Sequence, residues 1–268
     1  MKRQSLTLNQ IKEIELDILL VLTKYCDEHG LRYFLAYGSL LGAVRHGGFI
    51  PWDDDIDVVM LREDYMRLNE LLSKETLRED LKWISLQNGT WNEPFGKVIN
   101  INTKLKAQRM KTSIWVDVFP LDSYDKKILK KNVFMRRVHI AKNTVNFSFD
   151  FKGLVKLFLR IAFSFKSFIS ISKEIEQRAL NISQNGKISH MVWASDERDY
   201  YDELMFLSQT EVVFEGYKVK TVADVDGYLR QCYGDYMQLP PENKRKTHQI
   251  VAYWIGNTSC PYKGLEDR

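Results

Sequence analysis

Four aspartates fall within five residues, at Asp53, Asp54, Asp55 and Asp57, and the run leads into the β-branched stretch Ile56 to Met60. On an extended chain, residues i and i+2 face the same side. Asp55 and Asp57 then point together, while Ile56 and Val58 point into a core. Two carboxylates this close repel unless a proton or a cation lies between them. Mg²⁺ suits such a pair, because it takes oxygen ligands and leaves positions for water and substrate phosphates; Mn²⁺ would serve as well. A calcium loop also begins with acids at alternate positions. Here its sixth position would be Val58 instead of Gly and its twelfth Asp64 instead of Glu, which rejects it.

An acid run alone is more often a solvated loop. Gly38-Ser39, upstream, raises this one above that reading: a Gly-Ser turn at a strand end offers backbone N–H groups and a hydroxyl to a phosphate. A further acid, Asp117, sits inside the apolar stretch Ile114-Trp-Val-Asp-Val-Phe119. A charge there needs a partner or a cation. If this strand neighbours that of Asp55 and Asp57, Asp117 completes a three-carboxylate site, as a ligand or as the base that accepts a proton from an attacking hydroxyl.

The elements that must position these residues can be read from periodicity. Ile11, Ile14, Ile18, Leu22 and Tyr25 recur at helical spacing and predict a helix over 8–29, stopped at Gly30. Strands are expected at 31–36, 56–60, 83–86, 95–101 and 114–119, the last ended by Pro120, with a helix at 63–73 and an Asn88-Gly89 turn. Residues 215–219 predict a strand or short hairpin, and 225–233 a short helix. This order indicates an α+β fold, a small mixed sheet flanked by helices, with a basic helical insertion. The expected divisions are a catalytic core over 1–125, the insertion over 126–190, and a C-terminal part over 191–268 that completes the site.

The insertion is where the charge gathers. Residues 126–173 hold twelve Lys or Arg against Asp150 alone, so a chain of net charge +4 is locally +11 and −7 elsewhere. Such asymmetry predicts a surface that meets something anionic. Within 150–173, Lys152, Lys156 and Arg160 form a stripe among Phe151, Leu154, Val155, Phe158, Leu159, Ala162 and Phe163. It is too charged to span a bilayer. It fits either a peripheral helix on an anionic inner leaflet or a core helix with snorkelling lysines. Three scattered cysteines, no secretory signal and no long apolar run predict a cytoplasmic protein.

Tyr37-Gly-Ser-Leu-Leu-Gly-Ala-Val-Arg-His-Gly47, Ile50-Pro-Trp-Asp-Asp-Asp-Ile-Asp-Val58 and Val116-Asp-Val-Phe-Pro-Leu-Asp122 resemble the LicD family and the fukutin-related proteins. The resemblance continues through Tyr233-Gly-Asp-Tyr-Met-Gln-Leu-Pro-Pro241 and is least clear over 126–190. It implies a nucleotidyltransferase-type fold and transfer of phosphocholine from CDP-choline to a sugar hydroxyl of a bacterial surface glycopolymer, here a lipid-linked teichoic-acid precursor. It places the metal-binding D-x-D on Asp55 and Asp57, the later acid on Asp117 and the phosphate turn on Gly38 and Ser39.

In that mechanism the hydroxyl attacks the distal phosphorus and CMP leaves. Lys97, Arg45 and His46 are candidates to touch donor phosphates, and Arg245 and His248 to grip CMP or acceptor phosphates. Choline, a quaternary ammonium, needs aromatic faces; Trp52 is the first candidate, followed by Tyr253 and Trp254. No nucleic-acid partner is expected. The competing readings are a nucleotidyltransferase on a sugar or polyol phosphate, a metal-dependent glycosyltransferase, against which the upstream Gly-Ser turn argues, and a non-catalytic interaction protein.

Overall fold

A computed structural model describes residues 3–106, 112–143, 150–194, 200–245 and 250–265. The chain forms two compact units. The first is Met1–Trp83, Lys97–Phe119 and Leu204–Arg268; the second is Ile84–Gly96 and Pro120–Glu203.

The first unit opens with strand β1 (Gln4–Ser5) and helix α1 (Leu8–Glu28). Thr7 and Gln10 close a capping box at its start. Ile11, Ile14, Ile18, Leu22 and Tyr25 are buried, as their spacing predicts. β2 is only Phe34–Leu35, because the chain turns into helix α2 (Tyr37–His46) directly after Ala36. Gly38 and Ser39 therefore lie in the first turn of a helix and not in an open turn. Then come β3 (Asp57–Leu61), α3 (Arg62–Leu71), β4 (Leu81–Ile84), β5 (Gly96–Asn100), β6 (Thr103–Leu105) and β7 (Trp115–Ser123).

The main sheet runs β2-β3-β7-β5-β4, with Phe34 opposite Val59 in an antiparallel β2–β3 pair. β7 thus neighbours β3, the condition set for Asp117 to meet Asp55 and Asp57. Pro120 does not end β7 as expected. The strand runs on to Ser123, because a missing N–H matters only where the ladder needs that donor.

In the second unit, β7 continues onto β8 (Lys187–Ser189), which pairs with β9 (Tyr201–Asp202). Helices α4 (Lys126–Asn143), α5 (Phe151–Ala162) and α6 (Phe168–Leu180) bear out the helical reading of this basic region. Its core is Leu129, Met135 and Val138 of α4 against Ile171, Ile175 and Ala179 of α6, closed by Met191, Val192 and Ala194.

The rest of the first unit holds the hairpin β10 (Gln209–Phe214) and β11 (Tyr217–Val222), helix α7 (Val225–Tyr233) and strand β12 (Ala252–Trp254). The hairpin is longer than the 215–219 expected, a span that covers its two-residue turn and the first half of β11. β12 lies between β1 and β6 in a small separate sheet that sequence periodicity missed. The whole is an α+β fold.

Candidate active site

Every element of the site belongs to the first unit. Asp55 precedes β3 and Asp57 opens it. Two hydrogen bonds fix the start of that strand: Ala36 N–H donates to Asp57 O at 3.1 Å, and Asp57 N–H donates to Ser39 Oγ at 2.8 Å. Ser39 is buried, so its hydroxyl ties the first turn of α2 to the acidic strand. The preceding residue, Tyr37, has φ 47°, a left-handed conformation uncommon for a non-glycine residue. Gly38 follows it, and a Cβ there would stand 2.8 Å from Asp53 Oδ2. The glycine thus lets an acid of the cluster approach the N-terminal turn of α2, where helical N–H groups favour negative charge.

The neighbouring strand supplies Asp117, whose N–H donates to Ile56 O at 3.0 Å. Both of its carboxylate oxygens are engaged. Lys97 Nζ of β5 lies 2.5 Å from Oδ1, and Trp115 Nε1 donates to Oδ2 at 2.7 Å. The ammonium of Lys97 also sits 4.4 Å from the centre of the Trp115 ring. Lys97 and Asp117 are both buried.

The electrostatics are those of crowded acids. Burial pushes the Asp57 carboxyl well above the usual carboxylate range; the charges of Asp55, Asp117 and Asp53 push the same way, and Lys97 opposes them. A proton or a cation relieves such a cluster. The donors are carboxylate oxygens, which fit Mg²⁺ better than a soft metal. Among the described residues no three His, Cys, Asp or Glu side chains converge closely enough to enclose an ion. An incomplete cage is compatible with Mg²⁺, which is commonly held by one or two carboxylates, with water and substrate phosphates filling the remaining positions.

Two buried charges on α1 were missed by the sequence reading. Lys12 Nζ donates to Ile50 O and Pro51 O, each at 3.3 Å, and lies 5.1 Å from the Phe49 ring centre. Burial lowers its pKa, against the pull of Glu15, Asp53, Asp54 and Glu215. Glu15 is 0% exposed, and neither carboxylate oxygen has a hydrogen-bond partner among the described residues. Burial raises its pKa well above the usual range, reinforced by Asp55 and Asp54 and opposed by Lys12. The signal was present: Glu15 follows Ile11 by four and precedes Ile18 by three, on the core face of the helix.

A second cluster gathers four of the expected residues. Arg45 Nε donates to His46 Nε2 at 3.0 Å, and Nη1 to Tyr236 O at 2.8 Å. His46 accepts that bond and is therefore neutral; burial and then Arg45 lower its pKa. Its ring meets Trp52 edge-on, with centroids 6.1 Å apart. The Arg245 guanidinium lies over the Trp52 ring at 4.9 Å. Burial lowers the Arg45 pKa, and the nearby charge of Arg245 adds to it. Two guanidiniums beside an aromatic face form a surface for an anion with a stacking group. His248 lies outside the described residues.

Tyr233, the last residue of α7, was singled out only as part of a motif. Its phenol is pushed up by burial, then by Cys232 and by the acids Asp57, Asp53 and Asp55, and it also acts electrostatically on Arg45. Tyr233, 44% exposed as a residue, is thus within electrostatic reach of both the acidic and the arginine clusters. Trp254 is no open cation face: it is buried, and its indole N–H donates to Thr258 O at 2.7 Å.

Comparison with known proteins agrees with this geometry. Residues 30–152 match the family model described as "LicD/FKTN/FKRP, nucleotidyltransferase domain". The lipopolysaccharide cholinephosphotransferase LicD of Haemophilus influenzae is 28% identical over 277 aligned positions, covering 94% of this chain and 99% of that protein. The human ribitol 5-phosphate transferase FKRP is 50% identical over 46 residues, 17% of this chain and 9% of its own length. An uncharacterized protein of Rickettsia prowazekii, RP689, is 44% identical over 45 residues, 17% of each chain. The acidic strand, the helix that pins it and the end-to-end likeness to one relative converge on one segment: residues 30–152 match the nucleotidyltransferase domain of the LicD/FKTN/FKRP family model.

Proposed function

We propose that the protein transfers phosphocholine from CDP-choline to a sugar hydroxyl of a lipid-linked teichoic-acid precursor on the cytoplasmic side of the plasma membrane, releasing CMP. The observation that carries the reading is the crowding of Asp55, Asp57 and Asp117, with Asp57 pushed up by burial and like charge. Such a cluster is suited to a divalent cation that would neutralise charge on substrate phosphates. The donor is argued from the likeness to a cholinephosphotransferase over nearly the full length of both chains. That relative is named for lipopolysaccharide; the teichoic-acid acceptor is this chain's own proposed variant.

Asp55 and Asp57 would hold Mg²⁺ as two carboxylate ligands, with Asp117 as the base beside them. Bound there, the cation would neutralise charge on the donor diphosphate and the departing CMP. Ser39 keeps Asp57 aimed through its backbone N–H. Lys97, 2.5 Å from Asp117 Oδ1, orients that carboxylate towards the site, where it would accept the acceptor hydroxyl's proton. Arg45 and Arg245 grip phosphate, and Trp52 offers a face already able to hold a cation, as Arg245 demonstrates. The 46-residue likeness to a ribitol 5-phosphate transferase favours a second reading, a CDP-linked polyol donor at the same site.

The test incubates the purified chain with Mg²⁺, the acceptor sugar repeat, and CDP-choline or CDP-ribitol, and follows CMP. Release that requires acceptor, Asp55 and Asp57 supports transfer, and the active donor identifies the head group. Folded protein inert with both donors would sink this reading and favour nucleotidyl transfer from a nucleoside triphosphate.

A further inference from the structure

Helix α5 presents its apolar side to solvent. Of its twelve residues only Gly153 is buried. Phe151 is 81% exposed, Phe158 69%, Ile161 65% and Leu154 54%, and Phe165, just beyond the helix, 77%. At about 100° per residue, Phe151, Leu154, Val155, Phe158, Ile161 and Ala162 share an arc of roughly 120°. Lys152, Lys156 and Arg160 fall on the opposite side, all exposed, and none has an ion-pair partner among the described residues. The core of this unit is built from α4 and α6 without that arc; from this part of the chain only Leu159 and Phe163 pack against it. This excludes a core helix with snorkelling lysines. The helix is well made, with Asp150 accepting Gly153 N–H at 2.8 Å as its N-cap.

From this geometry we infer that α5 and Phe165 dock on an anionic lipid bilayer, the helix lying in the plane of the interface. The arc is aromatic and aliphatic without a polar interruption, as insertion among acyl chains requires. The charges on the opposite side, Lys152, Lys156 and Arg160, are all cationic, which lets these long side chains reach back to acidic headgroups. The surrounding charge complements such a surface, since residues 126–173 hold twelve basic side chains and one acid. A twelve-residue helix is about 18 Å long, too short to span a bilayer and adequate to lie on one. No helix among the described residues is long and apolar enough to cross a membrane. This surface goes beyond the transferase reading and stands or falls separately, because no nucleotide or acceptor enters its test.

The experiment is flotation of the full chain with vesicles of phosphatidylglycerol and phosphatidylcholine, and with phosphatidylcholine alone. The unaltered chain is expected to float with the anionic vesicles. Phe158→Glu/Ile161→Glu, both exposed and so compatible with folding as checked by circular dichroism, should bind at least roughly tenfold more weakly. Lys152→Glu/Lys156→Glu/Arg160→Glu should lose the preference for anionic lipid. Failure of the unaltered chain to float would overturn the inference, as would equal flotation of the Phe158/Ile161 variant. A dimer seen by light scattering, dispersed by that variant without any flotation, would assign the face to a second copy instead.

Discussion

The hydroxyl of Ser39 accepts the backbone N–H of Asp57 at 2.8 Å, so the first turn of α2 and the first residue of β3 are one unit. Ser39→Ala leaves a buried donor unpaired, at a cost of about 1–3 kcal/mol. It also frees the strand end that aims Asp57, so turnover is expected to fall roughly tenfold or more. Ser39→Thr keeps the acceptor and should retain most of both. Denaturant midpoints with CMP release check this, and an Ala variant as stable and active as the parent would remove Ser39 from the positioning role.

Lys97 and Asp117 form a buried pair, so removing one partner strands the other. Lys97→Met is expected to destabilise the protein by about 3–5 kcal/mol, and Lys97→Met/Asp117→Asn to recover much of that loss without recovering turnover. A double-mutant cycle by chemical denaturation measures the coupling. Additive losses would mean that the pair does not act as one.

Gly42 separates packing from chemistry. A Cβ there would meet Gly48 O at 2.3 Å and Ile50 N at 3.1 Å, both backbone atoms that cannot swing aside. Gly42→Ala should therefore cost about 1–3 kcal/mol or more and lower soluble yield. Gly38→Ala meets only the end of the Asp53 side chain, so its effect should fall mainly on turnover. Thermal melts and CMP release on the two variants make the comparison.

How much of this was legible follows from the range of each signal. Strand alternation is local, so Asp55 and Asp57 could be paired on sight, and the need of Asp117 for a partner was plain from its apolar neighbours. The partner itself was not, because Lys97 reaches it only through the order of β7 and β5 in the sheet. Arg245 over Trp52 is likewise a contact across almost two hundred residues that no spacing encodes. Pro120 misled because proline stops a strand only where its missing N–H is needed. Lys12 and Glu15 were passed over although their positions on the core face of α1 marked them as buried.

Glu15 gives a prediction with a definite sign. Its folded pKa is raised, so the stability it contributes belongs to the protonated form, is full at low pH and is lost as pH rises through the folded pKa. Glu15→Gln should therefore raise the melting temperature by a few degrees at pH 8 and change it little at pH 5. Differential scanning calorimetry at the two pH values decides it. A Gln variant less stable at pH 8 would show that the ionised carboxylate is compensated in the fold.

His139 has the opposite sign. It is 1% exposed in the second unit, its ring against Phe168 and Trp193, and burial lowers its pKa to about 4, with the Lys142 charge adding to the effect. The folded state keeps the imidazole neutral, whereas the unfolded chain takes up a proton near the ordinary value of about 6.5. The stability held by the neutral ring is therefore complete above about pH 6.5 and is lost as pH falls towards 4. The gap corresponds to about 3 kcal/mol. His139→Phe removes the titrating group while keeping an aromatic ring. Its denaturation midpoint should therefore depend less on pH between 6.5 and 4 than that of the parent, by up to this amount. Parallel curves for the two proteins over that range would show that His139 is already protonated, or solvated, in the fold.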